Sequence, residues 1–172
     1  MEYITLKSTI PESIGEYYFN SKEYCQYLYL PVMFAGDPEI YLEPRLEFLR
    51  GMINDTVNDY ITNNYSGQFN DEYIYLTIKQ TFIPKDTHHN RPEFHSDGFL
   101  TDDVNYIYFD KYPTEFMIGN FNVPKHDELS MVEFNRIEKL IEQNKMIGYL
   151  HRPEPFNLYD LIRIIFIEQH RQ

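Results

Sequence analysis

Short runs in which apolar and polar residues alternate, each closed by proline, glycine or an acidic or amide residue, constrain this chain most. "EYITLKST" (Glu2–Thr9), "YCQYLYLPVMF" (Tyr24–Phe34), "EYIYLTIKQTFI" (Glu72–Ile83), "VNYIYFD" (Val104–Asp110) and "FMIGNF" (Phe116–Phe121) all have this form. Side chains two residues apart share one face of a strand, so a sheet with one dry face needs every second residue apolar. "KMIGYLH" and "LYDLIRIIFIE" continue the pattern towards the C-terminus. Each run is too short for a helix-dominated fold and reads as one strand.

Two segments are spaced differently. From Pro44 to Ile61 the apolar residues Leu46, Leu49, Ile53, Val57 and Tyr60 recur at steps of three and four, which predicts a helix with Pro44 in its first turn. "ELSMVEFNRIEKLIEQN" places Met131, Phe134, Ile137 and Ile141 on one helical face, with Ser130 and Glu133 at capping-box spacing. Many short strands with few helices predict a mainly β fold, a sandwich or a barrel. Neither a parallel βαβ pattern nor a glycine-rich phosphate loop is present. With no internal repeat, low-complexity tract or linker, residues 1–172 are expected to form a single domain. Within it, residues 1–70 would be a strand-and-helix support and residues 72–169 the β core.

Composition narrows the function. The aromatic share is 17%, with 16 Tyr, 13 Phe and no Trp, which favours strands around a ring-lined interior. A net charge of -12, from 27 acidic and 15 basic residues, repels a phosphate backbone and argues against general nucleic-acid binding. The single Cys25 forbids an internal disulfide and a cysteine-rich zinc module. No apolar run approaches the ~20 residues that cross a bilayer. "MEYITLKSTIPESIG" lacks the basic start and apolar block of a signal peptide. A cytoplasmic setting without membrane association is the expectation, and a reducing cytoplasm would keep iron ferrous.

The chemistry concentrates in "RPEFHSDGFLTDD". On a strand His95 and Asp97 would project to the same side, bringing an imidazole nitrogen and a carboxylate oxygen within reach of one ion. A second histidine would complete a facial triad, which leaves neighbouring coordination positions open for ferrous oxygenase chemistry. His151 is the candidate, since it ends the apolar run "MIGYLH" and precedes a loop; His88, His89, His126 and His170 are the others. Arg163 lies inside "LIRIIFI", where a cation is costly without an anionic partner, either a structural acid or the carboxylate of a bound acid. Arg152, next to His151, competes for the same anion.

The order His95-x-Asp97, His151, Arg163 resembles the iron(II)/2-oxoglutarate-dependent dioxygenases. The resemblance implies a double-stranded β-helix, a jelly-roll or cupin-like core, over residues 72–169. It implies Fe(II) held by His95, Asp97 and His151, and 2-oxoglutarate paired through its distal carboxylate with Arg163. Family members often carry a hydroxyl residue two positions beyond that arginine. Here the position is Ile165, so the contact would fall to Tyr108, with Tyr106, Thr81 and Lys79 as alternatives. The stretch "HSDGFLTDDVNYIYFDKYPTEF" also looks like stretches of small phage proteins, which would place the chain in a host cytoplasm.

Two function classes follow. In the first, an iron(II)/2-oxoglutarate-dependent oxygenase hydroxylates a small-molecule substrate. In the second, the same barrel is a non-catalytic binding module that sequesters a small nucleotide-like signalling ligand, as a viral anti-defence protein would. Arg91, Arg152 and Arg163 would then offset the acidic surface. A redox-inert metal cupin ranks third, because it leaves Arg163 without a role.

Overall fold

Alternation becomes strand in most of the places where the sequence offers it, and the pairings between those strands decide the architecture. The computed structural model describes residues 1–20, 24–64, 71–80, 94–101, 103–110, 113–155, 157–161 and 165–167. The strands are β1 (Tyr3–Ser8), β2 (Glu12–Glu16), β3 (Cys25–Met33), β4 (Ile74–Gln80), β5 (His95–Ser96), β6 (Asn105–Tyr108), β7 (Glu115–Pro124), β8 (Tyr149–His151), β9 (Asn157–Leu161) and β10 (Ile165–Ile167). The α-helices are α1 (Arg50–Asp59) and α2 (Asp127–Glu142). The described chain is therefore mainly strand with few helices. None of its helices is long and apolar enough to cross a membrane.

The chain divides into two compact units, Met1–Glu16 with Ile83–Gln172, and Tyr17–Phe82. This differs from the expected split at residue 70. The first sixteen residues belong with the larger unit because β1 pairs with β7, from Tyr3 opposite Pro124 to Ser8 opposite Gly119, and β2 pairs with β9. Strand β4 belongs with the smaller unit because its partner is β3. Both outcomes depend on long-range pairing, which a local pattern does not contain.

In the larger unit one sheet runs β1-β7-β10-β5, with β8 also paired to β7; a second runs β2-β9-β6. Every pairing among its described residues is antiparallel. Strand β7 is buried on both faces, and its alternation divides two cores. Met117, Phe121 and Val123 pack with Phe94 and with Phe134, Ile137 and Ile141 of α2. Phe116 and Ile118 pack on the other side with Ile107 and Phe109, which come from the β6 region of the second sheet. Sheet one is thus covered by a helix on one face and by sheet two on the other. Fully burying one such ring contributes about 2–3 kcal/mol.

Helix α2 begins earlier than a Ser130–Glu133 capping box would require. The Ser130 backbone N–H already donates within the helix to His126 O at 2.8 Å, and its hydroxyl donates to Asp127 O at 2.6 Å. Glu133 is engaged by Arg136 instead. Asp127 and Glu128 supply negative charge to the first turn, where the helix dipole favours it. At the other end Asn144 takes a left-handed φ of 54°, and Lys145 N–H closes on Leu140 O at 2.8 Å. The closing run "LYDLIRIIFIE", read as one strand, is two: β9 joins the second sheet and β10 the first.

The smaller unit is a two-stranded ribbon with a helical segment. Pro44–Leu49 is a 3-10 helix leading into α1, and Tyr60–Asn64 ends it as a π-turn, so the expected helix is present in three pieces. Two-stranded ribbons are marginal alone. Here Cys25, Val32, Met33, Leu46, Leu49, Met52 and Ile53 are all buried. Hydrogen bonds from Tyr41 N–H to Val32 O (2.8 Å) and from Tyr27 OH to Glu43 (2.7 Å) tie strand to helical segment.

Candidate metal centre

Strand β5 is only two residues long, and its pairing places the first site residue. His95 lies opposite Phe166 of β10, Phe166 opposite Phe116 of β7, and Phe116 opposite His151 of β8. The four form one row across the sheet. Directly paired residues share a face, and Phe116 packs into the cluster between the two sheets. His95 and His151 therefore face the inter-sheet space. Their chain neighbours Phe94 and Leu150 face the other way, in the core under α2.

Asp97 follows immediately, but not as the third residue of a strand. It opens a turn in which Gly98 has φ 61° and Leu100 φ 64°, and Thr101 N–H donates to Gly98 O at 2.9 Å. The Thr101 hydroxyl donates to Asp103 Oδ2 at 2.6 Å and fixes the far side of the turn. A Cβ on Gly98 would lie 2.8 Å from Thr101 Oγ1, so glycine fits both the space and the left-handed backbone. The result is that Asp97 Oδ1 lies 3.4 Å from His95 Nε2. The imidazole is 13% exposed and the carboxylate 50% exposed. Donors about 2.0–2.2 Å from one ion stand roughly 3–3.5 Å from each other, so this pair has the separation of two neighbouring ligands.

The third expected donor is not beside them. His151 is on the correct face and in the same row, but three strand-to-strand steps separate it from His95. At ~4.8 Å a step this is a backbone span of ~14 Å, with the ring of Phe116 between. Among the described residues no group of three or more His, Cys, Asp or Glu side chains is placed to hold one metal ion. The donor set that fits a metal is thus the pair His95 and Asp97.

The anion-binding candidates are distributed differently. Arg152 Nη2 lies 3.5 Å from Glu115 Oε1, with the guanidinium 46% and the carboxylate 15% exposed, so an acid of the protein already answers this cation. Glu115 is not among the residues that the sequence singles out. Its signal was an acid at the entry to an apolar strand, two positions from the buried Met117. Tyr108 lies on β6, where Ile107 and Phe109 pack inward, so alternation turns Tyr106 and Tyr108 to the opposite face. Tyr108 is therefore not on the face that His95 and His151 share. Arg163, with Thr81, His88, His89, Arg91 and His170, lies outside the described residues. His126 is the residue before α2 and takes no part in this row.

No protein-family model, no curated protein and no solved structure matches the chain.

Proposed function

We propose that this protein is an iron(II)/2-oxoglutarate-dependent oxygenase on a double-stranded β-helix, with the metal held by His95 and Asp97. The observation that carries the proposal is the His95–Asp97 pair, 3.4 Å apart, with His95 on the face of its sheet that turns towards the second sheet. The strand order supports the jelly-roll part. Strands β5, β7, β8 and β10 lie in one sheet as β5-β10-β7-β8, while β6 and β9 pair in the other. Successive strands alternate between the two sheets except for β7 and β8, which share one, and this order is compatible with a jelly roll in which α2 stands between β7 and β8.

In this reading the largely buried His95 ring and the Asp97 carboxylate bind and orient the ion, and the tight turn at Gly98 holds the carboxylate beside the ring. Bound ferrous iron with 2-oxoglutarate would supply oxygen activation, the keto acid being oxidised to succinate and carbon dioxide as a substrate C–H bond is hydroxylated. Phe116 and Ile118 would keep water from the inter-sheet side. Arg163 would pair with the distal carboxylate of 2-oxoglutarate, and Arg152, held by Glu115, would not.

The second reading, a binding module for a small anionic, nucleotide-like ligand, is favoured by one observation: the described residues bring two metal donors together and not three. Incubation with iron(II), 2-oxoglutarate and ascorbate in air decides between them by succinate release. The oxygenase reading expects succinate, which His95→Ala abolishes. Absence of both succinate and anaerobic 2-oxoglutarate binding would transfer the inter-sheet space to the binder.

A further inference from the structure

The smaller unit carries an aromatic surface that the metal centre does not use. Four rings form a continuous strip. Tyr75 stacks on Tyr73 at 6.2 Å between centroids, Tyr73 meets Phe34 edge-on at 6.4 Å, and Phe34 meets Tyr41 edge-on at 6.2 Å. Each is substantially exposed, from 43% at Phe34 to 54% at Tyr73 and Tyr75. The strip follows from β4 having one dry face. Ile74, Leu76 and Ile78 turn inward, so Tyr75 is turned to solvent. Contiguous exposed aromatic area of this kind is unusual on a surface that meets only water.

Carboxylates edge one end of the strip, and the backbone fixes them there. Asp37 N–H closes a turn on Phe34 O at 3.0 Å, and Gly36 supplies its left-handed φ of 82°. Glu39 N–H donates to Asp37 Oδ1 at 3.2 Å, and the Tyr41 hydroxyl donates to Asp37 Oδ2 at 2.7 Å and to Glu39 Oε2 at 3.4 Å. Ring faces and acids are thereby presented together.

We propose that this strip docks a basic polypeptide segment, with Arg or Lys side chains over the tyrosine rings and against Asp37 and Glu39. Ring faces attract cations through their quadrupole, and an adjacent carboxylate supplies the opposite charge. The net charge of -12 gives long-range attraction to a basic partner and repels a nucleic acid. A second copy of this chain would bring the same acids face to face, so self-association is disfavoured at this surface.

The test is fluorescence anisotropy with a fluorescein-labelled, alternating Gly-Arg decapeptide at physiological salt. A Gly-Glu decapeptide and an oligothymidylate serve as comparison ligands. The double substitution Tyr73→Leu with Tyr75→Leu leaves every charge in place, so it leaves non-specific attraction to the acidic protein unaltered. Both residues are exposed, and an unchanged circular dichroism spectrum checks that the variant folds. The proposal expects this variant to bind the Gly-Arg peptide about tenfold more weakly. Asp37→Asn should weaken it more than Glu128→Gln, an equal change of charge in the other unit. It is overturned if the tyrosine variant binds as wild type, or if Asp37→Asn and Glu128→Gln weaken binding equally. Preference of the wild type for the oligothymidylate or the Gly-Glu peptide would also overturn it. So would a sedimentation-detected dimer that the tyrosine variant dissolves.

Discussion

Asp97 reaches back across one serine to the His95 ring, and the residue that makes this turn tight is Gly98. Its φ of 61° and the 2.8 Å approach of Thr101 Oγ1 to a built Cβ both oppose a side chain. Gly98→Ala should therefore destabilise the protein by about 1 kcal/mol or more, read as a lower urea midpoint, and should weaken metal binding with it. An unchanged midpoint would mean that the turn is not what holds the carboxylate. A second residue reports its own surroundings. The hydrogen bond to Asp37, followed by partial desolvation and the nearby carboxylate charges, raises the Tyr41 phenol from 10.0 to about 12. The neutral phenol is the favoured form, so its contribution to stability is complete below pH 10.0 and is lost as pH rises through about 12. Ultraviolet titration should show late-ionising tyrosine from Tyr41 together with Tyr17 and Tyr27, which carboxylate hydrogen bonds and desolvation also raise, and Asp37→Asn should reduce the late amplitude by the Tyr41 share alone. If that amplitude is undiminished by the substitution, the Asp37 bond is not what raises Tyr41.

At the scale of elements, β7 and α2 carry the larger unit's core. Phe134→Ala removes a fully buried ring that packs with Met117 and Phe121, and should cost about 3–5 kcal/mol by chemical denaturation. A loss below about 1 kcal/mol would show that the helix is not seated on that face. These two elements were legible in the sequence because their periods, two for "FMIGNF" and three to four for "MVEFNRIEKLI", are properties of the local chain. Strand β2 was not, since "ESIGE" offers only one large apolar side chain and its pairing with β9 shifts register between Ser13 and Gly15. The break between β9 and β10 was hidden by unbroken hydrophobicity. The site was legible to the same depth. His-x-Asp proximity is a local fact and survives even though a turn, rather than strand alternation, produces it. The separation of His151 is set by strand order, to which residue spacing is blind.

For the whole molecule, two compact units, a net charge of -12 and the His95–Asp97 pair must together yield one function. If that function is oxygenation, Arg163→Met should weaken 2-oxoglutarate binding by about 2–5 kcal/mol, because a buried carboxylate would lose its partner. Iron affinity should hardly change, and calorimetry with iron under anaerobic conditions separates the two effects. Equal loss of iron and of 2-oxoglutarate would point to a collapsed fold, and loss of neither would remove Arg163 from the site. Everything in the oxygenase reading rests on a metal held by His95 and Asp97. An anaerobic iron(II) titration of the wild type beside His95→Ala, Asp97→Ala and His151→Ala tests it. One equivalent should bind to the wild type, with at least about a tenfold loss of affinity in His95→Ala and Asp97→Ala and little change in His151→Ala. A wild type that takes up no iron, or a His95→Ala or Asp97→Ala protein that binds it undiminished, would refute the assignment.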